Sequence, residues 1–336
     1  MSAVFVVAVV LALAFAATNG LHDASNAIAT LVATRAARPR YALALAAVFN
    51  LLGPLLVGAA VARAIGGIVM IGGPEAVDVI AAGLLAAVAW NLLTWRWGLP
   101  SSSGHALIGG LVGAALVAGG VGAVRWGGLD GIHPVGVLGA CVALAVSPPL
   151  GALAGFVLVR GVRRSARRAS RRWHELAQAA QWATSATLAF SHGANDAQKS
   201  AGVIAALLLA DNRIDALSAP VWATLGCAAA LTLGTAAGGW NIVRTVGRRI
   251  YHLHPVDGLC SQGASAAVIL GASLLGAPTS TTQVVASSVV GVGGGRRRWH
   301  HVRWAVVRQM GLAWIVTMPA SAVIAALALV GWRWAS

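Results

Sequence analysis

Residues 18–30 read TNGLHDASNAIAT and residues 191–203 read SHGANDAQKSAGV. The two stretches align on Asp23 and Asp196, and each carboxylate lies inside an apolar segment. An ionised side chain at membrane depth is costly, so its default interpretation is a functional site. The alternative is a buried aspartate that caps a neighbouring helix, and the duplication of the motif weakens it. The pair therefore predicts one polar site built from two copies of a single element.

A second pair of motifs repeats at nearly the same separation along the chain. Residues 97–109 read WGLPSSSGHALIG, and residues 275–287 read LGAPTSTTQVVAS. Two paired matches at nearly one offset predict an internal duplication. We expect a first transmembrane repeat over 1–159, an Arg-rich cytoplasmic linker over 160–181 and a second, inverted transmembrane repeat over 182–336.

The composition places this chain in a lipid bilayer. Hydrophobic residues make up 58% of the 336 residues and charged residues only 10%, whereas soluble domains are about 45–50% apolar and about 25% charged. The apolar runs do not alternate as the strands of a barrel would, so helices are expected. The net charge of +15 is concentrated in short connections, which favours topology signals over nucleic-acid binding.

The charges of the connections indicate how the two repeats are oriented. Arginine clusters at 35–40, 160–172, 244–249 and 296–303 predict cytoplasmic segments. The first motif is followed by a basic connection, but its partner is followed by Asp211 and Asp215. Equivalent connections thus change sides, as in the inverted repeats of many secondary transporters. The predicted fold is an all-α polytopic membrane protein with two inverted-topology repeats, each with a broken motif helix and a re-entrant Ser/Thr-rich hairpin.

The aspartate motifs have the chemistry of a cation or proton site. Asp23 and Asn26 are three residues apart and share a helix face. In the second motif Asn195 precedes Asp196, and Lys199, the single lysine of the chain, replaces the second asparagine. This lysine either pairs with Asp196 in place of a bound cation or faces an anion directly. The alternative is a lysine that snorkels to the interface.

The proline motifs predict hairpin tips that bind an anion. Proline suits the first turn of a helix, and a helix N-terminus with free N–H groups and hydroxyls is an anion site. One such tip alone could be a simple N-cap. His22, His105 and His192 lie near the motifs, either as proton relays or as structural donors. The tip residues expected to bind the anion are Ser101, Ser102, Ser103, Ser280, Thr281 and Thr282.

The strings NGLHDASNAIAT, SHGANDAQKS, PSSSGH and PTSTTQ resemble the signatures of the inorganic phosphate transporter (Pit, or PHO4) family. The resemblance spans both halves and implies a secondary transporter, not an enzyme, which is commonly a homodimer in the plasma membrane. It also implies that the Asp/Asn motifs bind the coupling cation and that the hairpin tips bind phosphate. The residues carried over are Asp23, Asn26, Asn195, Asp196, Ser101, Ser102, Ser103, Ser280, Thr281 and Thr282, with Lys199 added as a phosphate ligand.

Four positions depart from patterns of that family. The second hairpin of its members usually ends in a histidine, where Gln283 stands here. The sodium-coupled members carry asparagine in place of Lys199 and tend to carry glutamates where Asn50 and Gln262 stand. The departures favour the bacterial low-affinity branch, with H⁺ as the coupling ion and a divalent metal such as Mg²⁺ accompanying phosphate.

Three alternatives stay open at this point. They are Na⁺ coupling, a sulfate permease of the same fold, and a membrane enzyme that acts on phosphorylated lipids. The enzyme is disfavoured because the sequence shows neither a nucleophile constellation outside the repeats nor metal-ligand spacing. No resident metal, other cofactor or nucleic-acid partner is expected.

Overall fold

The computed structural model describes residues 2–130, 133–165, 171–238, 242–243, 245, 250–297 and 299–335. Parts of three predicted arginine clusters, at 160–172, 244–249 and 296–303, lie outside the described residues, as does the middle of the predicted linker.

The described chain is almost entirely helical, which confirms the predicted all-α fold. A two-residue strand pair, Leu129–Asp130 with His133–Pro134, precedes α6. The α-helices are α1 (Ala3–Ala33), α2 (Pro39–Leu56), α3 (Ala60–Gly66), α4 (Gly73–Trp97), α5 (Ser103–Gly119), α6 (Gly136–Ser165), α7 (Arg171–Ala210), α8 (Val221–Ala237), α9 (Pro255–Leu274), α10 (Thr281–Gly295) and α11 (Trp304–Ala335).

Six helical segments of the described chain are long and apolar enough to cross a membrane. Helix α10 has only 15 residues and is therefore about 22 Å long, short of the roughly 30 Å hydrocarbon core. Helix α10 alone therefore does not cross the hydrocarbon core. The six segments are Ala3–Ala33, Pro39–Leu56, Gly73–Trp97, Ser103–Ala123, Gly136–Ser165 and Trp304–Trp334.

The two motif helices are continuous, so the prediction of broken motif helices was wrong. Helix α1 runs unbroken through the first motif, and the 40-residue helix α7 runs unbroken through the second. Neither helix contains proline. The polar groups of the site come from the side chains of the motifs and not from exposed backbone. The backbone can therefore keep its helical hydrogen bonds at membrane depth.

The two halves interlock through reciprocal helix pairs. Helix α1 packs on α8 while α7 packs on α2, and α5 packs on α11 while α10 packs on α6. Glycines in equivalent motif positions allow this approach. A Cβ at Gly20 would lie 2.0 Å from the Leu231 carbonyl oxygen, and one at Gly193 would lie 2.1 Å from the Asn50 carbonyl oxygen. Both motifs therefore lie at close helix crossings, while the inverted orientation of the halves stays a prediction.

A methyl group at Gly234 is expected to prevent the α1–α8 crossing. The Cβ of Gly234→Ala would lie 1.9 Å from the Ala17 carbonyl oxygen, and this backbone atom cannot rotate away. Overpacking of this kind costs about 1–3 kcal/mol or more. Thermal unfolding in detergent should show a lower midpoint for Gly234→Ala. The matched control is Gly311→Ala, where nothing lies within 4 Å of the new Cβ. A normal midpoint for both variants would contradict the packing.

The hairpins α4–α5 and α9–α10 are closed at their bases and buried at their tips. The base of the first is joined by a 2.9 Å hydrogen bond from Met70 N–H to the Ala123 carbonyl. The base of the second is joined by an ion pair between Asp257 and Arg296. At the tips, Ser102 and Ser280 cap α5 and α10 by accepting backbone N–H groups. The fold therefore delivers both helix N-termini to the interior, as re-entrant hairpins would.

Candidate functional site

The two copies of the aspartate motif meet at one buried cluster. The Nε2 atom of His192 lies 2.9 Å from Asp196 Oδ2 and 3.7 Å from Asp23 Oδ2. Asp23 comes from α1, whereas His192 and Asp196 lie four residues apart on one face of α7. All three side chains are at most 2% exposed. Side chains from both aspartate motifs thus lie together in a single polar centre.

The tip of the second hairpin binds this centre directly. The Thr281 hydroxyl lies 3.1 Å from Asp23 Oδ2 and 2.9 Å from Asp196 Oδ2. Its single hydrogen is therefore shared between the two carboxylates. The Thr282 hydroxyl donates to Asp23 Oδ1 at 2.5 Å. Asn26 Nδ2 donates to both threonine hydroxyls at 3.2 Å. Groups predicted to bind an anion and groups predicted to bind a cation are therefore in contact.

Lys199 lies between the cluster and both hairpins. Its ammonium group pairs with Asp196 and donates to the Thr279 carbonyl at 2.6 Å. On its other side, a Cβ placed on Gly104 of the first tip would lie 3.6 Å from Nζ. The side chain is 1% exposed, so the snorkelling alternative is wrong. The lysine is a buried partner of Asp196 within reach of both tips.

The first tip contacts the aspartate cluster through a histidine. His22 Nδ1 lies 3.2 Å from Asp23 Oδ1, and His22 Nε2 lies 3.4 Å from the Ser101 hydroxyl. Ser101 also donates to Thr94 Oγ1 at 3.0 Å. This series of polar contacts connects Asp23 to the first hairpin.

Other residues of the predicted site face away from the aspartates. Ser103 donates to Asn19 Oδ1 at 2.7 Å. Asn195 braces the second hairpin, since its Nδ2 donates to Ser273 Oγ at 2.9 Å and to the Ala277 carbonyl at 3.3 Å. Adjacent helix positions do not share a face, which explains why Asn195 turns from the cluster that Asp196 enters. Ser102 and Ser280 serve as N-caps in this structure.

Sequence reasoning missed the role of Asn50. Its Oδ1 lies 3.0 Å from His192 Nδ1, on the side of the imidazole opposite the aspartates. The sequence marked Asn50 only as a departure from a family pattern, and nothing in its spacing connects it to His192. The spacing of His192 and Asp196, four residues apart, was the available signal for the histidine itself.

The same geometry forms a cluster that spacing along the chain did not reveal. One ligand atom each from Asp23, His192 and Asp196 lies within 4.8 Å of the others, and this group could hold a metal ion. The three residues come from distant parts of the chain, so no local ligand spacing announces them. By contrast, Cys141, Cys227 and Cys260 are free thiols.

The sequence and the fold are both similar to those of known proteins. The sequence profile of the Phosphate transporter family (PHO4) matches residues 19–325. A probable low-affinity inorganic phosphate transporter of Rhizobium meliloti (strain 1021) is 40% identical over 95% of this chain and 93% of its own length. The corresponding protein of Bacillus subtilis (strain 168) is 40% identical over 95% and 94%. A solved structure described as the sodium-dependent phosphate transporter superposes with a TM-score of 0.86 at 25% identity, covering 98% of this chain and 99% of that one.

Proposed function

This chain belongs to the phosphate transporter family, and from that membership we propose that it imports inorganic phosphate by symport with the proton. Its relatives are transporters, so it is a multi-pass cell membrane protein and not an enzyme. The two repeats, joined by the basic linker, form the carrier in this proposal. We expect it to act as a homodimer in the bilayer, as the family resemblance implies.

The contact between the second hairpin and the aspartates is the observation that carries this proposal. The hydroxyls of Thr281 and Thr282 donate to Asp23 and Asp196. Any cation that neutralises the carboxylates frees these donors for an oxyanion and removes the repulsion that the oxyanion meets. Binding of the two solutes is therefore thermodynamically linked, and linkage between cation and anion is what a symporter requires.

The charge of the cluster favours phosphate over sulfate. Two buried carboxylates face one ammonium group, Lys199, and this leaves an excess negative charge while the imidazoles are neutral. Phosphate near neutral pH carries a proton that it can donate to a carboxylate, whereas sulfate carries none. A fully ionised sulfate beside Asp23 and Asp196 can donate to neither carboxylate and would meet their repulsion until a cation neutralises them.

Lys199 supports the proton over sodium as the coupling ion. Its ammonium group lies where the first motif carries the amide of Asn26, and it already pairs with Asp196. A fixed positive charge there competes with a monovalent metal ion for the same carboxylate oxygen. The solved sodium-dependent transporter shares the fold, and its sodium dependence is a property of that protein.

Uptake into proteoliposomes tests this function. Labelled phosphate should accumulate under an inward proton gradient in sodium-free buffer and should stop when a protonophore collapses the gradient. Adding sodium should change the rate less than twofold, since Lys199 occupies the competing position. Accumulation that begins only after sodium is added would disprove proton coupling. Sulfate that competes as well as unlabelled phosphate would disprove the choice of substrate.

A further inference from the structure

An apolar groove lies between α6 and α9 at the surface of the helix bundle. It encloses about 630 Å³, which is within the range of about 300–1,000 Å³ that ligand pockets have. Apart from Ser147 and Thr279, its described lining residues are apolar. Leu153 and Val157 line it and are 59% and 58% exposed. Because the described chain leaves these side chains uncovered, a molecule from outside covers them in the bilayer.

The first half of the chain fills the corresponding position, between α4 and α11, with a tryptophan. Trp90 lies ten residues before Pro100, and Val268 lies ten residues before Pro278. Trp90 Nε1 donates to Thr317 Oγ1 at 3.1 Å and thereby joins α4 to α11. Val268 instead lines the groove. Since valine is much smaller than tryptophan, the second half leaves open a space that the first half fills.

The partner of that tryptophan also has a counterpart in the groove. Helix α5 crosses α11 at Ala322, and α10 crosses α6 at Ala152. A Cβ on the facing glycine, thirteen residues after the proline of each tip, would lie 2.2 and 1.9 Å from the two carbonyl oxygens. Thr317 lies five residues before Ala322, and Ser147, which lines the groove, lies five residues before Ala152. The groove is therefore the equivalent of a position that an indole occupies in the first half.

Arginines continue the lining face of α6 beyond the groove. Arg160 and Arg164 follow Leu153 and Val157 by seven residues, or about two helical turns, so they lie on the same face. Both arginines are exposed, and neither forms an ion pair with another residue that the structure describes. Basic side chains at the cytoplasmic end of a cleft between membrane helices attract anionic lipid headgroups. This end of the groove therefore suits a negative charge.

The length of the groove matches one leaflet of the bilayer. From Val157 to Ser147 it follows α6 for ten residues, a distance of about 15 Å. This is half of the hydrocarbon core, which is about 30 Å thick. An acyl chain whose headgroup lies at Arg160 and Arg164 would thus reach the middle of the membrane.

The tip of the second hairpin forms part of the groove wall. Ala277 and Thr279 line the groove. On the other side of the same segment, the Thr279 carbonyl accepts from Lys199 Nζ at 2.6 Å, and the Ala277 carbonyl accepts from Asn195 Nδ2 at 3.3 Å. One backbone segment therefore separates the groove from the buried site, and a molecule in the groove supports the tip from behind.

We propose that a phospholipid with an anionic headgroup binds in this groove, with its phosphate at Arg160 and Arg164 and one acyl chain between α6 and α9. The apolar lining accommodates the chain, which occupies the place that Trp90 has in the first half. A second copy of this protein is a poorer occupant. Two copies related by a twofold axis in one membrane would bring the basic ends of both α6 helices together.

Lipid binding to the purified protein tests the charge of the occupant. The protein is stripped of lipid in detergent, and dioleoylphosphatidylglycerol or dioleoylphosphatidylcholine is added. Bound lipid is counted by native mass spectrometry, and the melting midpoint is measured in parallel. We expect one phosphatidylglycerol per chain to bind and to raise the midpoint by about 5 °C or more at saturation, with a much smaller effect of phosphatidylcholine.

Arginine substitutions locate the headgroup. Replacing both Arg160 and Arg164 with glutamine should weaken phosphatidylglycerol binding about 30-fold, since each arginine near an anionic headgroup contributes about fivefold. The control is Arg163→Gln. This exposed arginine precedes Arg164 by one residue, and adjacent helix positions do not share a face. The control should bind the lipid as the unmodified protein does.

A tryptophan placed in the groove tests the position of the acyl chain. Val268→Trp should abolish phosphatidylglycerol binding, because the indole would occupy the groove as Trp90 occupies its counterpart. Val323→Trp, at an exposed position of α11, is the matched control and should bind normally. If Val268→Trp fails to fold, Gly271→Leu makes the same test. Nothing lies within 4 Å of a Cβ at this groove-lining glycine, so the larger side chain enters the groove.

Three results would overturn the proposal. Equal binding and equal stabilisation by the two lipids would show that the site does not select an anionic headgroup. Phosphatidylglycerol that still binds to Val268→Trp and to Gly271→Leu would place the lipid elsewhere. A lipid-free dimer that dissociates into monomers in these two variants would identify a second copy of the chain as the occupant.

Discussion

Concentrative phosphate uptake is expected to disappear when Asp23 is replaced by asparagine. The amide has nearly the same shape and can still accept hydrogen bonds from Thr281 and Thr282, which now reach the carboxylate at 3.1 and 2.5 Å. The amide has no negative charge to balance a coupling cation, and it takes up no proton near neutral pH. The two hydrogen bonds change from charge-assisted ones, worth about 1.5–3 kcal/mol each, to neutral ones, worth about 0.5–1.5 kcal/mol each. This weakening together with loss of the coupling charge should lower uptake at least about 100-fold.

The measurement for Asp23→Asn is labelled-phosphate accumulation in proteoliposomes under a fixed proton gradient. Asp211→Asn is the control, because Asp211 lies outside the site and pairs with Arg213 at an exposed position. It should transport at the normal rate. Accumulation by Asp23→Asn against a phosphate gradient would show that the coupling ion does not use this carboxylate, and the assignment of the site would fail.

Sodium dependence is the expected result of replacing Lys199 with asparagine. The substitution removes the ammonium group from Asp196 and recreates the Asp–Asn spacing that Asp23 and Asn26 have in the first motif. Removing one partner of a buried ion pair costs about 3–5 kcal/mol when nothing replaces it. Without sodium the variant should lose nearly all uptake. With sodium the ion should occupy the place of the ammonium group, restoring part of the uptake and raising the melting midpoint in NaCl relative to choline chloride.

Lys199→Leu separates loss of charge from gain of a sodium site. Leucine leaves Asp196 without its partner and offers no oxygen to a cation. This variant should be inactive in both salts, with the same melting midpoint in each. If Lys199→Asn transports equally well in both salts, the lysine has no part in choosing the coupling ion.

Contacts within one helix could be predicted from the sequence. The pairing of Lys199 with Asp196 follows from their spacing of three residues on α7, because helix geometry alone brings such positions together. The helix N-termini at the hairpin tips followed from the proline motifs, because proline suits the first turn of a helix. The break expected in α1 did not follow, since a polar motif without proline leaves a helix intact when its side chains do the binding.

Contacts between helices could not be predicted from spacing. Asn50 and His192 meet because α2 and α7 cross at Gly193, where the backbones touch. Thr281 reaches both aspartates because the second hairpin carries the N-terminus of α10 into the crossing of α1 and α7.

The sequence by itself determined that this protein is a helical membrane protein and which side chains are polar at membrane depth, and it predicts two related halves. These properties depend on composition and on periodicity along a single helix. Only the tertiary structure decided that Asp23, His192 and Asp196 face one another while Asn195 does not. The rotation of each helix about its axis is set by packing against its neighbours, and that packing joins residues far apart in the chain.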